Sequence, residues 1–201
     1  VHFSPTHAET TWILTDNQGV FADLKEGFRW LCEDAIAPSA GVRGLHIDDP
    51  EGQRWLVATT QGLFGSTNGG CDFRRVSGEV GSHSLRGLWS LSDGRLLTAS
   101  DSADVYNDVF VSDDGGDTWR SMGLQLPSRT LDLSISHSPS SSIYLQTRRA
   151  LYVSHDRGDT FEMMTLQVED AAVQADRVLA IYPASAPDGL VLLTIANAAR
   201  T

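Results

Sequence analysis

An octapeptide rich in glycine and acidic residues occurs four times in this chain, beginning at residues 23, 66, 112 and 154. The copies read Asp23-Leu-Lys-Glu-Gly-Phe-Arg-Trp30, Ser66-Thr-Asn-Gly-Gly-Cys-Asp-Phe73, Ser112-Asp-Asp-Gly-Gly-Asp-Thr-Trp119 and Ser154-His-Asp-Arg-Gly-Asp-Thr-Phe161. A period of about 44 residues allows one small sheet per repeat, set radially about an axis, in place of one sheet running the length of the chain. The repeat constrains architecture strongly and chemistry hardly at all.

Within one repeat the pattern reads as four short strands. Val42–Ile47 is a first strand closed by the turn Asp48-Asp49-Pro50-Glu51-Gly52, and Arg54–Thr59 is a nearly continuous apolar run, as expected of a strand covered on both faces. Leu63–Ser66 is the third, and the octapeptide turns the chain into the fourth, Asp72–Val76. The same order returns in Leu85–Leu91, Arg95–Ala99, Val109–Ser112 and Thr118–Ser121, and again from Leu131 to Met164. The expected architecture is all-β: a propeller of four-stranded antiparallel blades spanning 1–201, with units near 1–36, 37–79, 80–126 and 127–170 and a partial one over 171–201. Two strands are lacking from the fifth unit, and an open edge is avoided in soluble sheets. The expectation is therefore about four and a half blades of a larger ring of roughly six to eight, the alternative being a five-bladed ring with an incomplete last blade.

Each octapeptide residue has a local task. The fifth-position glycine (Gly27, Gly70, Gly116, Gly158) permits a backbone conformation that other residues resist. The third-position Asn68, Asp114 or Asp156 accepts hydrogen bonds from the turn's own amides, with Thr118 and Thr160 beside it. Trp30, Phe73, Trp119 and Phe161 are expected to plug each hairpin onto its sheet, while Lys25 in place of Asp makes the first copy degenerate.

With 41% hydrophobic and 20% charged residues among 201, the chain is long enough to bury a sizeable core. No run of 18 apolar residues is present, so no membrane insertion is expected. A formal charge of -11 argues against nucleic acid, which requires a basic face. The chain does not open with Met, and no signal peptide stands within it. Cys32 and Cys71 lie one repeat apart; a disulfide between neighbouring blades and two half-buried thiols are both open readings.

The four turns resemble the Asp-box of the BNR propeller superfamily, Ser-x-Asp-x-Gly-x-Thr-Trp, which the third copy matches in full. That superfamily includes bacterial sialidases and related glycoside hydrolases, sortilin-type receptors, photosystem II assembly factors and uncharacterised secreted bacterial propellers. The segment Trp30-Leu-Cys-Glu-Asp-Ala-Ile36, followed by Gly69-Gly-Cys-Asp-Phe73, is most similar to the last group. The resemblance implies a Cys32–Cys71 disulfide, an extracytoplasmic location, and Asp-boxes that are peripheral and structural.

A sialidase needs an arginine cluster for the substrate carboxylate, a Tyr nucleophile with a Glu, and an Asp acid/base. No Arg-x-Pro element occurs, and Tyr106, Tyr144, Tyr152 and Tyr182 have no legible Glu partner. No catalytic residue, metal or cofactor is assigned, and the expectation is a non-catalytic binding or scaffolding module. A fragment of a sialidase-type hydrolase with catalytic residues partly elsewhere is the alternative. Aligning Leu45, Leu88 and Leu179 places Arg43, Arg86 and Arg177 in one row, interrupted by Leu131 in the fourth unit. Around a channel such a row would receive a carboxylate or sulfate of a protein or glycan ligand; paired locally with Asp, it would be ordinary surface. The six histidines have no metal-ligand spacing, and the acidic loop Asp101–Asp108 lacks the Gly and Glu of a calcium loop. Trp12, Trp55 and Trp89 fall in strands and read as core.

Overall fold

The computed structural model describes the backbone at residues 2–3, 11–15, 19–24, 27–31, 36–37, 40–47, 53–103, 106–135, 142–148, 150–164, 177–183 and 191–196. Side chains are described at 30, 36–37, 40–47, 53–103, 106–135, 142–148 and 150–164. Strands pair in fours, in chain order. Sheet one is β1 His2–Phe3, β2 Thr11–Thr15, β3 Gly19–Leu24 and β4 Gly27–Leu31; sheet two is β5 Val42–Ile47, β6 Trp55–Thr59, β7 Gly62–Ser66 and β8 Arg74–Arg75. Sheet three is β9 Leu85–Ser90, β10 Leu96–Ser100, β11 Val109–Ser112 and β12 Arg120–Ser121. Sheet four is β13 Thr130–Ile135, β14 Ile143–Thr147, β15 Leu151–Ser154 and β16 Glu162–Met163, and a two-stranded sheet follows, β17 Arg177–Pro183 with β18 Val191–Ala196. The strand pairings are antiparallel, and a 3-10 turn, Glu79–Gly81, links β8 to β9.

The second strands explain how the sheets stack. Every residue of β6, β10 and β14 is buried, because each face of the strand meets a different neighbour. Trp55 and Val57 point one way, packing with Ile36, Ala40, Val42 and Phe64. Leu56 and Ala58 point the other way, onto Leu85, Leu88, Leu96 and Phe110 of the next sheet. Leu97 and Ala99 continue the series onto Leu133, Ile143 and Leu145. The core therefore lies between sheets, and alternation with period two builds it.

The first strands converge. A Cβ on Gly44 of β5 would stand 2.4 Å from the Leu88 nitrogen of β9, so only glycine lets the two backbones meet. The fourth strands β8, β12 and β16 have two exposed residues each and stand on the outside. Sheets that touch along their first strands and stack face to face form a fan about an axis, the arrangement of a β-propeller.

The first octapeptide departs from expectation. Leu24 pairs directly with Gly27, a tight hairpin two residues shorter than the other three turns. Trp30 pairs with Phe21, just as Arg75 pairs with Phe64 and Ser121 with Phe110. The register thus puts Phe28, not Trp30, at the place of Phe73, Trp119 and Phe161, and Trp30 is 57% exposed. Gly27 is a strand residue there. Lacking the first-position serine and the third-position Asp or Asn that accept the turn amides in the other copies, this copy does not form the longer turn.

Candidate functional site

The three full turns have one internal wiring. The first-position serine accepts the amide of the fifth-position glycine: Gly70 to Ser66 at 3.0 Å, Gly116 to Ser112 at 2.8 Å and Gly158 to Ser154 at 2.8 Å. The third-position side chain accepts the amide at the seventh position, from Asp72 to Asn68 at 3.0 Å, Thr118 to Asp114 at 2.9 Å and Thr160 to Asp156 at 2.8 Å. Thr118 and Thr160 also donate their hydroxyls to Asp114 and Asp156, and these bonds, the largest influence, bring both carboxyls down to about 2. Trp119 Nε1 closes on the Gly116 carbonyl at 3.0 Å.

These turns also join sheets. Gly70, Gly116 and Gly158 all have φ near +80 to +90° (79, 92 and 91), and a Cβ on Gly116 would lie 2.2 Å from Leu56 Cδ1 of the preceding sheet. Gly158 abuts Leu97 in the same way, at 2.9 Å. Arg54, just before β6, donates to the Gly115 carbonyl at 3.0 Å and to Asp117 at 2.5 Å. Arg95, just before β10, repeats this on the Arg157 carbonyl and Asp159, both at 3.0 Å, and its Nε lies 2.6 Å from Asp113 without hydrogen-bond alignment. Arg120 reaches Asp159 at 2.7 Å, the main reason that carboxyl titrates below the ordinary range, and Arg157 reaches Asp93 at 2.5 Å. Ser142 takes the arginine's place in sheet four and bonds His155. This inter-sheet clamp went unread in the sequence, although Arg54 and Arg95 recur before one strand, and Asp117 and Asp159 at one turn position.

At the opposite end, where the first strands begin, the ladders carry an irregularity each. Val42 pairs with Thr59 and Gly44 with Ala58, leaving Arg43 over; Leu85 pairs with Ser100 and Gly87 with Ala99, leaving Arg86. In β13 the residue left over is Leu131, and in β17 it is Leu179. Such an extra residue re-aims its side chain out of the ladder. Arg43 and Arg86 thus occupy one level on adjacent strands. Arg177 does not join them: its register matches Arg129, one place before the paired residue preceding the irregularity, so aligning Leu179 with Leu45 is corrected by two residues.

Arg43 is exposed and makes no ion pair among the described residues, its Nη2 lying 4.0 Å from where a Gly41 Cβ would stand. Arg86 is half-buried and donates Nε to the Leu131 carbonyl across the gap to β13. Asp132 follows Leu131. Asp132 is exposed, yet partial desolvation by surrounding protein raises its pKa and outweighs the Leu133 amide that donates to it at 2.9 Å and the nearby Arg86 charge.

The acidic loop is spent on structure. Asp101 holds Arg129 through two bonds of 2.7 and 2.9 Å, Asp108 accepts the amides of Val109, Gly123 and Leu124, and buried Asn107 ties Ser102 to Ser128. Among the described residues no group of three or more His, Cys, Asp or Glu is placed to hold a metal. Tyr106 is 68% exposed, whereas Tyr144 is buried. Trp55 is buried and Trp89 partly so, while the Trp12 side chain, like that of Arg177, lies outside those described. Cys71 sits exposed at the sixth turn position, where Asp117 and Asp159 stand in the next two sheets; Cys32 lies outside the described residues.

No family model matches this sequence, and no curated protein does either. Among solved structures, an ancestral GH74 enzyme superposes with a TM-score of 0.72 at 18% identity, over 96% of this chain and 26% of its own. YCF48 bound to D1 peptide gives 0.65 at 12% identity, over 96% and 58%. The extracellular domain of BT4673 from B. thetaiotaomicron gives 0.64 at 12%, over 93% and 25%. The chain therefore spans from a quarter to somewhat over half of these structures' lengths. Likeness at such identities establishes the β-propeller fold and nothing finer.

Proposed function

We propose that this chain is part of a non-catalytic binding propeller of an extracytoplasmic protein, and that it takes an anionic protein or glycan ligand where the first strands begin. The observation that carries the reading is the pair Arg43 and Arg86, re-aimed by the same irregularity on two adjacent strands, with Arg43 left without an ion pair among the described residues. Arginines at one level on adjacent strands suit a carboxylate or sulfate, which a guanidinium can engage through parallel N–H donors. Propellers of this fold include YCF48 bound to D1 peptide and the extracellular domain of BT4673, which agrees with the reading. Reversing both charges, Arg43→Glu with Arg86→Glu, should weaken binding of an acidic peptide or sulfated glycan by at least about 100-fold, since a charged hydrogen-bonded contact contributes roughly 1.5–3 kcal/mol. Unchanged affinity on a calorimetric titration would sink the reading.

The GH74 likeness keeps a glycoside hydrolase in view for the parent protein. Turnover of chromogenic glycosides, abolished by replacing a carboxylate at the channel mouth, would overturn the non-catalytic reading.

A Cys32–Cys71 disulfide belongs to the same proposal. Cys71 occupies the turn position at which the next two sheets receive their arginine clamp, and in the sequence Thr10, just before Thr11, takes the place of those arginines. A covalent link would replace an ionic one at that junction. Oxidation removes one hydrogen from each thiol, so intact mass should rise by about 2 Da on reduction; no change would dismiss the bridge.

A further inference from the structure

The position after each irregularity is glycine in two strands and aspartate in a third. Gly44 has no room for a side chain because β9 presses on it, and Gly87 lies under its own strand's Trp89 ring, 2.7 Å from where a Cβ would be. Asp132 holds the equivalent place in β13, so at that step around the axis a side chain is accommodated, and the side chain is a carboxylate. Its Oδ1 accepts the Leu133 amide, and Oδ2 has no hydrogen bond or ion pair among the described residues. The charged group acting on it among the described residues is Arg86, whose Nε is already committed to the Leu131 carbonyl. Three consecutive first strands thus present cation, cation and anion in that order.

We propose that the end where the first strands begin recognises a segment carrying both signs, its carboxylate or sulfate on Arg43 and Arg86 and a neighbouring ammonium or guanidinium on Asp132. This rests on the reading of the two arginines as an anion site and adds the requirement for a cation beside it. A purely anionic ligand placed on Arg86 would lie against the Asp132 charge and be repelled, whereas a mixed-charge segment turns that repulsion into a second contact. Asp132 is here a specificity residue. It weakens uniformly acidic ligands, which the arginines alone would bind more tightly.

The probes are capped peptides, acetyl-Gly-Glu-Lys-Gly-amide and versions with one or two glycines between Glu and Lys, each with a twin bearing norleucine for lysine. Titrated calorimetrically into the 201-residue chain, the best lysine peptide should bind about tenfold more tightly than its twin, the worth of one charged contact. Asp132→Asn should erase that preference by weakening the lysine peptide while holding or strengthening the twin, and the exposed site gives no reason for misfolding, which circular dichroism checks. Equal affinity for lysine and norleucine peptides in the native chain, or a preference that survives Asp132→Asn, overturns the inference while leaving the anion site intact. If Arg43→Glu with Arg86→Glu changes neither affinity, or no peptide binds at millimolar concentration, the anion site itself falls and takes this inference with it.

Discussion

The two ends of the fan use arginine in opposite ways. At the octapeptide end, Arg54 and Arg95 stand before successive second strands, and each meets a carbonyl and a carboxylate of the next sheet's turn, 61 to 64 residues away. There a repeated cation faces a repeated counter-charge, and the pair holds sheets together. At the other end Arg43 and Arg86 also repeat, but no repeated carboxylate answers them; Arg43 has no ion pair among the described residues and Arg86 leans on a backbone carbonyl. The contrast teaches that repetition alone does not separate structural from functional charge. What separates them is whether the partner repeats too.

The largest effect expected comes from the packed end. Gly116→Val forces a side chain at φ +92° into a space 2.2 Å from Leu56 Cδ1, and should cost about 3 kcal/mol or more in urea denaturation. Gly123→Ala, at φ +67° with nothing within 4 Å, should cost only about 1 kcal/mol. Equal losses would show that the turn does not join sheets. Next, Trp119→Ala should lose about 2–4 kcal/mol and Trp30→Ala less than half of that, because only Trp119 sits in the turn and packs on the inter-sheet core. The reverse order would restore Trp30 as a plug.

Arg95→Ala should destabilise by about 1–3 kcal/mol, since it empties a position only 9% exposed and leaves Arg120 as the one cation shared by Asp113 and Asp159 among the described residues, whereas Arg43→Ala should stay within about 0.5 kcal/mol. A stability loss at Arg43 as large as at Arg95 would erase the distinction between the ends. The smallest effect is acid dependence. Asp114 and Asp156 bind protons less readily folded, at about 2, than in an unfolded chain near 3.8, so their contribution is complete above the latter and fades as pH falls toward 2. Both are surface groups, so solvent screening keeps the contribution modest. Asp114→Asn, copying the residue found naturally at Asn68, should flatten the acid limb of a stability-against-pH curve; an unaltered limb would mean the turn's hydrogen bonds do not discriminate the charged form.

Much of the architecture was legible because its determinants are local. The Ser66–Phe73, Ser112–Trp119 and Ser154–Phe161 turns close through hydrogen bonds within eight residues, so their residue types announce them. The apolar runs at Trp55–Thr59 and Leu96–Ser100 likewise announced strands covered on both faces. Register was another matter. Whether Trp30 or Phe28 follows the first hairpin, and whether Arg177 or Leu179 takes the place of Arg43, depends on which residues pair across β3–β4 and β17–β18. A hairpin two residues shorter, as in β3–β4, or a one-residue irregularity, as in β17–β18, shifts the neighbouring side chains, and nothing in either strand alone records it. The arginine clamps and the contact of Arg86 with the Leu131 carbonyl beside Asp132 depend on contacts between sheets more than 40 residues apart in sequence. Such contacts exist only once the sheets have converged on their axis, because it is packing between neighbours, and not propensity within a strand, that brings those charges together.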